Sequence, residues 1–247
     1  MFIIANWKAY VEDFEKAKKL VATSKKLARS RTGTLIVAPP APFLGKLAAG
    51  NISNVAFAAQ DISASTGGAA TGEATAAMYA ASGATYTIVG HSERRAAGDT
   101  NDTVALKITR SLAHNLTPIL CVGEHERDRE GRYLAFIREE ITTAFAALTA
   151  KERLRIIIAY EPLWAIGKTA EHAITPNDLA EMVLYIRKIL AELLPGKNAM
   201  HAAVLYGGSV EPDNIRALAA HSGINGVLIG HASVDAATFT ALVQQLS

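Results

Sequence analysis

From Ile156 to Gly167 the chain reads Ile-Ile-Ile-Ala-Tyr-Glu-Pro-Leu-Trp-Ala-Ile-Gly, an unbroken apolar run that stops at a carboxylate followed by proline. Such a run is the pattern of a strand buried on both faces, which places Glu161 at a strand end. Pro162 fixes its own φ and pushes Glu161 towards an extended backbone, so a stiff corner delivers the carboxylate beside a segment of large apolar residues closed by Gly167. That arrangement suits a base next to a moving lid. Two further groups stand at the ends of other apolar runs, Lys8 in Asn6-Trp7-Lys8 and His91 in Gly90-His91-Ser92-Glu93. A histidine opening a helix faces the positive end of its dipole, which favours a neutral ring that donates a hydrogen bond. A Glu that removes a carbon-bound proton next to a carbonyl, with a His and a Lys at the oxygen where charge develops, is an enolisation site.

Other chemistries lack their parts. Cys121 precedes Val122-Gly123 with no sequence cue for activation, and no nucleophilic Ser or Cys has a paired base. His114, His125, His172, His201 and His221 are scattered without ligand spacing, so no metal is expected. Gly207-Gly208-Ser209 and Gly230-His231-Ala232-Ser233 follow the seventh and eighth apolar runs. Either could be only a tight turn. Two on adjacent strand ends suggest a phosphate held by backbone N–H groups, which glycine lets approach closely.

Stepping along the chain, apolar runs recur at Phe2 to Ala5, Leu35 to Ala38, Val55 to Ala59, Tyr86 to Val89, Pro118 to Val122, the run ending at Tyr160, Ala202 to Tyr206 and Val227 to Ile229. Helical patterns fall between them: Val11 to Leu27, a short piece near Leu44, Asp102 to Ala113, Tyr133 to Leu148, Pro176 to Leu193, Pro212 to Ala220 and Asp235 to Leu246. Eight strands alternating with helices and no room for a linker predict an α/β fold, a single-domain (β/α)8 barrel over residues 1–247. A doubly wound open sheet would normally carry a glycine fingerprint after the first strand, where Asn6-Trp7-Lys8 stands instead. Barrel chemistry sits at the C-terminal strand ends, which is where Lys8, His91, Glu161 and the glycine turns lie.

With 247 residues, 50% apolar and 19% charged, the chain has ample core for one large domain and is not a disordered sequence. A net charge of +2 argues for no particular partner, and the basic residues from Lys16 to Arg31 read as a solvated helix face rather than a nucleic-acid surface. The one cysteine allows no intramolecular disulfide, and no stretch reaches the ~20 apolar residues of a membrane span or resembles a targeting signal. The expectation is a cytoplasmic protein without nucleic-acid or membrane partners.

Six ordered motifs then carry a resemblance: Asn6-Trp7-Lys8, Thr71-Gly72-Glu73, Gly90 to Arg95, Cys121-Val122-Gly123-Glu124, Tyr160 to Gly167 and Tyr206 to Val210. Together they resemble the triosephosphate isomerase family along most of the chain. The resemblance implies cofactor-free interconversion of dihydroxyacetone phosphate and D-glyceraldehyde 3-phosphate through an enediolate, a step of glycolysis and gluconeogenesis. It implies that Glu161 shuttles the proton between carbons, that His91 polarises the carbonyl and handles the oxygen-bound proton, and that Lys8 places positive charge near phosphate and enediolate. By the same likeness Asn6 orients the substrate, Glu93 holds Lys8 or tunes its surroundings, and backbone N–H groups at Gly167, Ser209, Gly230 and His231 hold the phosphate under a lid from Pro162 to Ala170. It also implies a homodimer, formed through the loop around Thr71.

The chain departs from the family pattern in several places. Ala5 precedes the first motif and Ala9-Tyr10 follow it, Asp61 follows Gln60, and Ala70 stands where an aromatic is common. Lys168-Thr169-Ala170 comes straight after Gly167, and His231 replaces a second glycine, where a solvent-facing turn residue is expected. Two other readings stay open on the residues alone: a different phosphosugar isomerase or epimerase, and a barrel that binds phosphorylated ligands without turnover.

Overall fold

The computed structural model describes residues 1–30, 32–165, 174–196 and 198–246. In chain order its elements are β1 (Phe2–Asn6), α1 (Phe14–Arg29), β2 (Thr34–Ala38), α2 (Ala41–Ala48), β3 (Val55–Ala59), α3 (Ala76–Ala81), β4 (Tyr86–Val89), α4 (Ser92–Ala96) and α5 (Asn101–Ala113). They continue with β5 (Thr117–Val122), α6 (Arg132–Phe145), α7 (Ala150–Arg153), β6 (Ile157–Tyr160), α8 (Pro176–Leu193), β7 (Val204–Tyr206), α9 (Ile215–Ser222), β8 (Gly226–Ile229) and α10 (Ala236–Gln245). Every neighbouring strand pair is parallel and β8 returns to β1, with Phe2 opposite Gly226, so the sheet is the closed (β/α)8 barrel the sequence predicts.

Why the strands are apolar throughout follows from closure. Ile4, Ile36, Ala58, Ile88, Ile119, Ala159, Leu205 and Leu228 fill the barrel, while Ile3, Leu35, Phe57, Val89, Leu120, Ile158, Val204 and Val227 pack outward in the larger cluster under the helices. Successive side chains alternate, so each strand needs apolar residues on both faces. The same alternation aims the site: Asn6 follows Ile4, and Glu161 follows Ile157 and Ala159, on the interior face.

Helix boundaries differ from the sequence reading where capping intervenes. α1 begins at Phe14, three residues later than its apolar pattern, because Asp13 caps it by accepting from the Lys16 N–H at 2.7 Å, although Val11 is still buried. α9 begins at Ile215 rather than Pro212 because the preceding turn is used elsewhere. Asn214 donates from Nδ2 to the Ser209 carbonyl and accepts from the Glu211 N–H, closing the loop after β7.

Candidate active site

β1 ends with Asn6 buried at the barrel mouth, and the chain then turns so sharply that Lys8 takes φ +47. A left-handed lysine costs on the order of 1–3 kcal/mol unless its surroundings hold it. Here the Lys8 N–H donates to Asn6 Oδ1 at 3.1 Å, and Gln60 at the end of β3 donates from Nε2 to both the Lys8 and Ala38 carbonyls at 2.9 Å. The ammonium so placed lies 2.6 Å from Glu93 Oε1. Glu93 itself is largely exposed, so this ion pair serves placement more than stability.

His91 caps α4 from its N-terminal side. Its Nδ1 accepts the Glu93 N–H at 3.2 Å, so the neutral ring carries its proton on Nε2. That nitrogen lies 3.4 Å from Glu161 Oε1. Glu161 is 2% exposed, and its other oxygen accepts the Ser92 N–H at 3.0 Å. Its backbone is locked between neighbours: the Glu161 N–H donates to Val122 at 2.8 Å, and the Gly207 N–H donates to the Tyr160 carbonyl at 2.8 Å. Gly123 is glycine because a Cβ there would collide with the Glu161 carbonyl oxygen. Gly208 is glycine because a Cβ would run into the Tyr206 hydroxyl.

Asn6, Lys8, His91, Glu93, Glu161, Ser209, Gly230 and His231 all line one cavity of about 590 Å3 at the C-terminal end of the barrel. Gly230 closes over Lys8, whose Cε would stand 3.3 Å from a Cβ placed there. His231 to Ser233 form a single 3-10 turn, braced by the Ser233 hydroxyl and N–H on the Gly230 carbonyl. Gly167 lies outside the described residues, as does the lid beyond Ala165.

The base of that lid is described, and its anchor is Glu124. One oxygen, Oε1, accepts from Tyr160 Oη at 2.8 Å, Trp164 Nε1 at 2.8 Å and Arg127 Nε at 3.1 Å, while its carbonyl takes the Leu163 N–H. Ser209 reaches the same segment through Ala165 O at 3.3 Å, tying a phosphate-loop candidate to the lid. On sequence alone neither Glu124 nor Gln60 has an assigned task. A polar residue directly after an apolar strand was the available signal for both. Cys121 sits fully buried in the barrel, where burial first and the nearby Glu161 second push its thiol well above the ordinary range, in keeping with an inert residue.

His231 is exposed, as expected, but it is not merely solvated: its ring meets Tyr10 edge-on, centroids 5.4 Å apart at 86°. Two positions that depart from the family pattern, in the first and last loops of the barrel, therefore meet in space. The positive-φ residues other than glycine are Lys8 and Asn115 among the described residues, so His231 does not need the conformation a glycine would supply.

A closed parallel barrel with a buried acid–imidazole pair, an ammonium and glycine turns around one mouth defines a (β/α)8-barrel enzyme. The family model described as triosephosphate isomerase matches residues 1–246. Proteins named triosephosphate isomerase from Carboxydothermus hydrogenoformans and Cupriavidus necator are 39% and 40% identical, the first over 98% of this chain and 97% of its own, the second over 97% of each. One from Moorella thermoacetica is 37% identical over 98% of this chain and 96% of its own. The chain belongs to the triosephosphate isomerase family.

Proposed function

We propose that the groups at the barrel mouth act as one proton-transfer site for a three-carbon phosphosugar. The chain is an isomerase that interconverts dihydroxyacetone phosphate and D-glyceraldehyde 3-phosphate, a step of glycolysis. The observation that carries the assignment of roles is the buried Glu161 carboxylate, held by the Ser92 N–H and 3.4 Å from His91 Nε2. Glu161 takes the proton from C1 of the ketose while His91 donates from Nε2 to the carbonyl oxygen on C2, giving the enediolate. His91 then moves a proton from the oxygen on C1 to that on C2, and Glu161 returns its own to C2. Lys8 supplies positive charge at the phosphate and the developing oxyanion, with Asn6 orienting the substrate and Glu93 holding Lys8. The phosphate binds to backbone N–H groups at Ser209, Gly230 and His231, and at Gly167 when the lid closes and excludes water. No cofactor is required, and nothing in the cycle needs a redox partner.

The working form is a homodimer, built by the loop around Thr71. Thr71 and Met78 are exposed, and a second cavity of about 240 Å3, lined by Lys8, Gln60, Tyr79, Glu93 and Arg94, opens beside the site. A partner's loop placed there would press on the Lys8–Glu93 pair. Its single buried cysteine suits the cytoplasm, and no helix of the described residues is long and apolar enough to cross a membrane.

The deciding experiment is glyceraldehyde 3-phosphate turnover in a coupled assay, with Glu161→Gln purified in parallel to measure contaminating host enzyme. Turnover lost in the variant supports Glu161 as the base; equal turnover in both removes it. No turnover in either, with phosphoglycolate still bound, would favour a binding barrel. Sedimentation at nanomolar and micromolar concentration tests the dimer.

A further inference from the structure

Behind the site lies a carboxylate that the reaction does not use. Glu140, on α6, is 1% exposed and reaches both the end of β5 and Arg95 of α4. Its Oε2 accepts the Gly123 N–H at 2.9 Å, and its Oε1 lies 3.2 Å from Arg95 Nε. Arg95 does not aim that N–H at Glu140. It donates it to the Gly90 carbonyl at 2.9 Å and donates from Nη1 to Asn101 Oδ1 at 2.7 Å. Glu140 Oε1 and Arg95 Nη2 consequently have no hydrogen-bond partner among the described residues. Burying an ion pair without saturating its hydrogen bonds is a costly way to hold a fold, and an apolar or amide pair would do it more cheaply.

What the pair touches suggests its use. Gly90 directly precedes His91, and Gly123 is the residue whose missing side chain admits the Glu161 backbone. We propose that Glu140, acting through Arg95 and Gly123, is a positioning residue for the isomerase reaction that fixes the spacing of His91 and Glu161 and adds a second buried negative charge beside the base. The inference rests on the roles given above to Glu161 and His91. Charged or titratable groups facing Glu140 are Arg95 from α4, Glu124 after β5, Glu161 after β6 and Cys121 within β5. Burial pushes the Glu140 carboxyl up to about 7, against the pull of Arg95 and the Gly123 N–H. The ionised form accepts from Gly123 and matches Arg95; the protonated form turns an O–H towards groups that are themselves donors. Activity therefore falls when Glu140 takes up its proton.

The test is Glu140→Gln, which keeps shape while removing charge and titration, assayed across about pH 6 to 8. We expect kcat to fall about tenfold with KM within about twofold, since the phosphate loops follow β7 and β8 and do not touch the pair. The ratio of wild-type to variant kcat/KM should change through the neutral range. Arg95→Lys, which cannot serve Gly90, Glu140 and Asn101 together, should show the same kcat loss, and the double variant little more. Wild-type kcat and pH profile in Glu140→Gln, with Glu161→Gln inactive, would overturn the inference and leave the base assignment standing. A kcat loss that merely tracks the unfolded fraction would also overturn it. Should Glu140→Gln not fold, Arg95→Lys decides: lowered kcat at unchanged KM supports the proposal, and unchanged kcat refutes it.

Discussion

Gly207 offers a graded way to move the Glu161 carboxylate, the proposed base. A Cβ at this position would stand 3.0 Å from Glu161 Cγ, 3.4 Å from the Tyr160 carbonyl and 3.6 Å from Glu161 Oε1. Carbon pairs rest near 3.5–4.0 Å, so Gly207→Ala must displace the Glu161 side chain by roughly 0.5–1 Å. The tightest contact is with a side chain, the Tyr160 carbonyl standing at ordinary van der Waals distance, and the backbone conformation at Gly207 is not one reserved for glycine, so the fold should tolerate the change at a cost of about 1 kcal/mol. Catalysis is less forgiving, because a misplacement of 1 Å costs on the order of 100-fold. We expect kcat to fall about 10- to 100-fold, equivalent to about 1.4–2.7 kcal/mol of barrier, with KM nearly unchanged. The assay is steady-state turnover in both directions, normalised to folded protein by circular dichroism. Unchanged kcat would refute the claim that this contact sets the position of Glu161. A raised KM with kcat intact would show that the strain had passed into Ser209 and the phosphate loop instead.

Glu161→Asp should lower turnover by about two to three orders of magnitude while phosphoglycolate affinity holds, since the carboxylate retreats by one methylene; near-normal kcat would remove Glu161 from its role. Lys8→Ala should weaken phosphoglycolate binding by at least about tenfold, the value of a charge-assisted contact, as read by calorimetry; equal affinity contradicts it. Glu124→Ala leaves the Tyr160 hydroxyl, the Trp164 indole and Arg127 without their shared acceptor, at about 3 kcal/mol, which should lower the melting temperature by roughly 6–12 °C. Stability also depends on Glu140, whose folded value of about 7 lies above the ordinary 4.5. Between those values the folded state holds more protons than the unfolded, so stability declines as pH rises from about 4.5 and levels off above about 7, by roughly 3 kcal/mol in all. Denaturant titrations of wild type against Glu140→Gln should show that decline in the wild type alone.

Most of the barrel is legible in the sequence because closure makes every strand apolar on both faces, and eight such runs leave few alternatives. Glu161 and Asn6 are legible for a related reason: interior alternation, continued one step past the strand, points a polar residue into the mouth. What escapes is whatever depends on residues distant in sequence. The left-handed backbone of Lys8 is made tolerable by Gln60, 52 positions away. Glu140 lies inside the Tyr133-to-Leu148 helical pattern with nothing to single it out, and only the folded chain shows it 17 positions back at Gly123. Tyr10 and His231 look like unrelated departures in opposite ends of the chain, yet their rings touch. The start of α9 is misread for a local reason, because Asn214 closes the loop after β7 instead of opening a helix.

These exceptions share a direction. The barrel interior and the layer under the helices are almost wholly apolar, and three costly features sit within reach of the mouth: a left-handed lysine, an immersed carboxylate at Glu161, and an ion pair at Glu140 and Arg95 with unsatisfied atoms. Each could be replaced by something more stable, Lys8 by glycine, Glu140 by an amide or apolar residue. The fold tolerates them because burial elsewhere supplies the margin. On the positioning role proposed for them, Glu140 and Arg95 would set the distance between imidazole and carboxylate through named backbone groups, Gly123 and Gly90, rather than through volume. If Glu161 serves both carbons as proposed, that spacing is the quantity to hold constant, and Glu140 and Arg95 contact the backbone on either side of it, at Gly123 and Gly90.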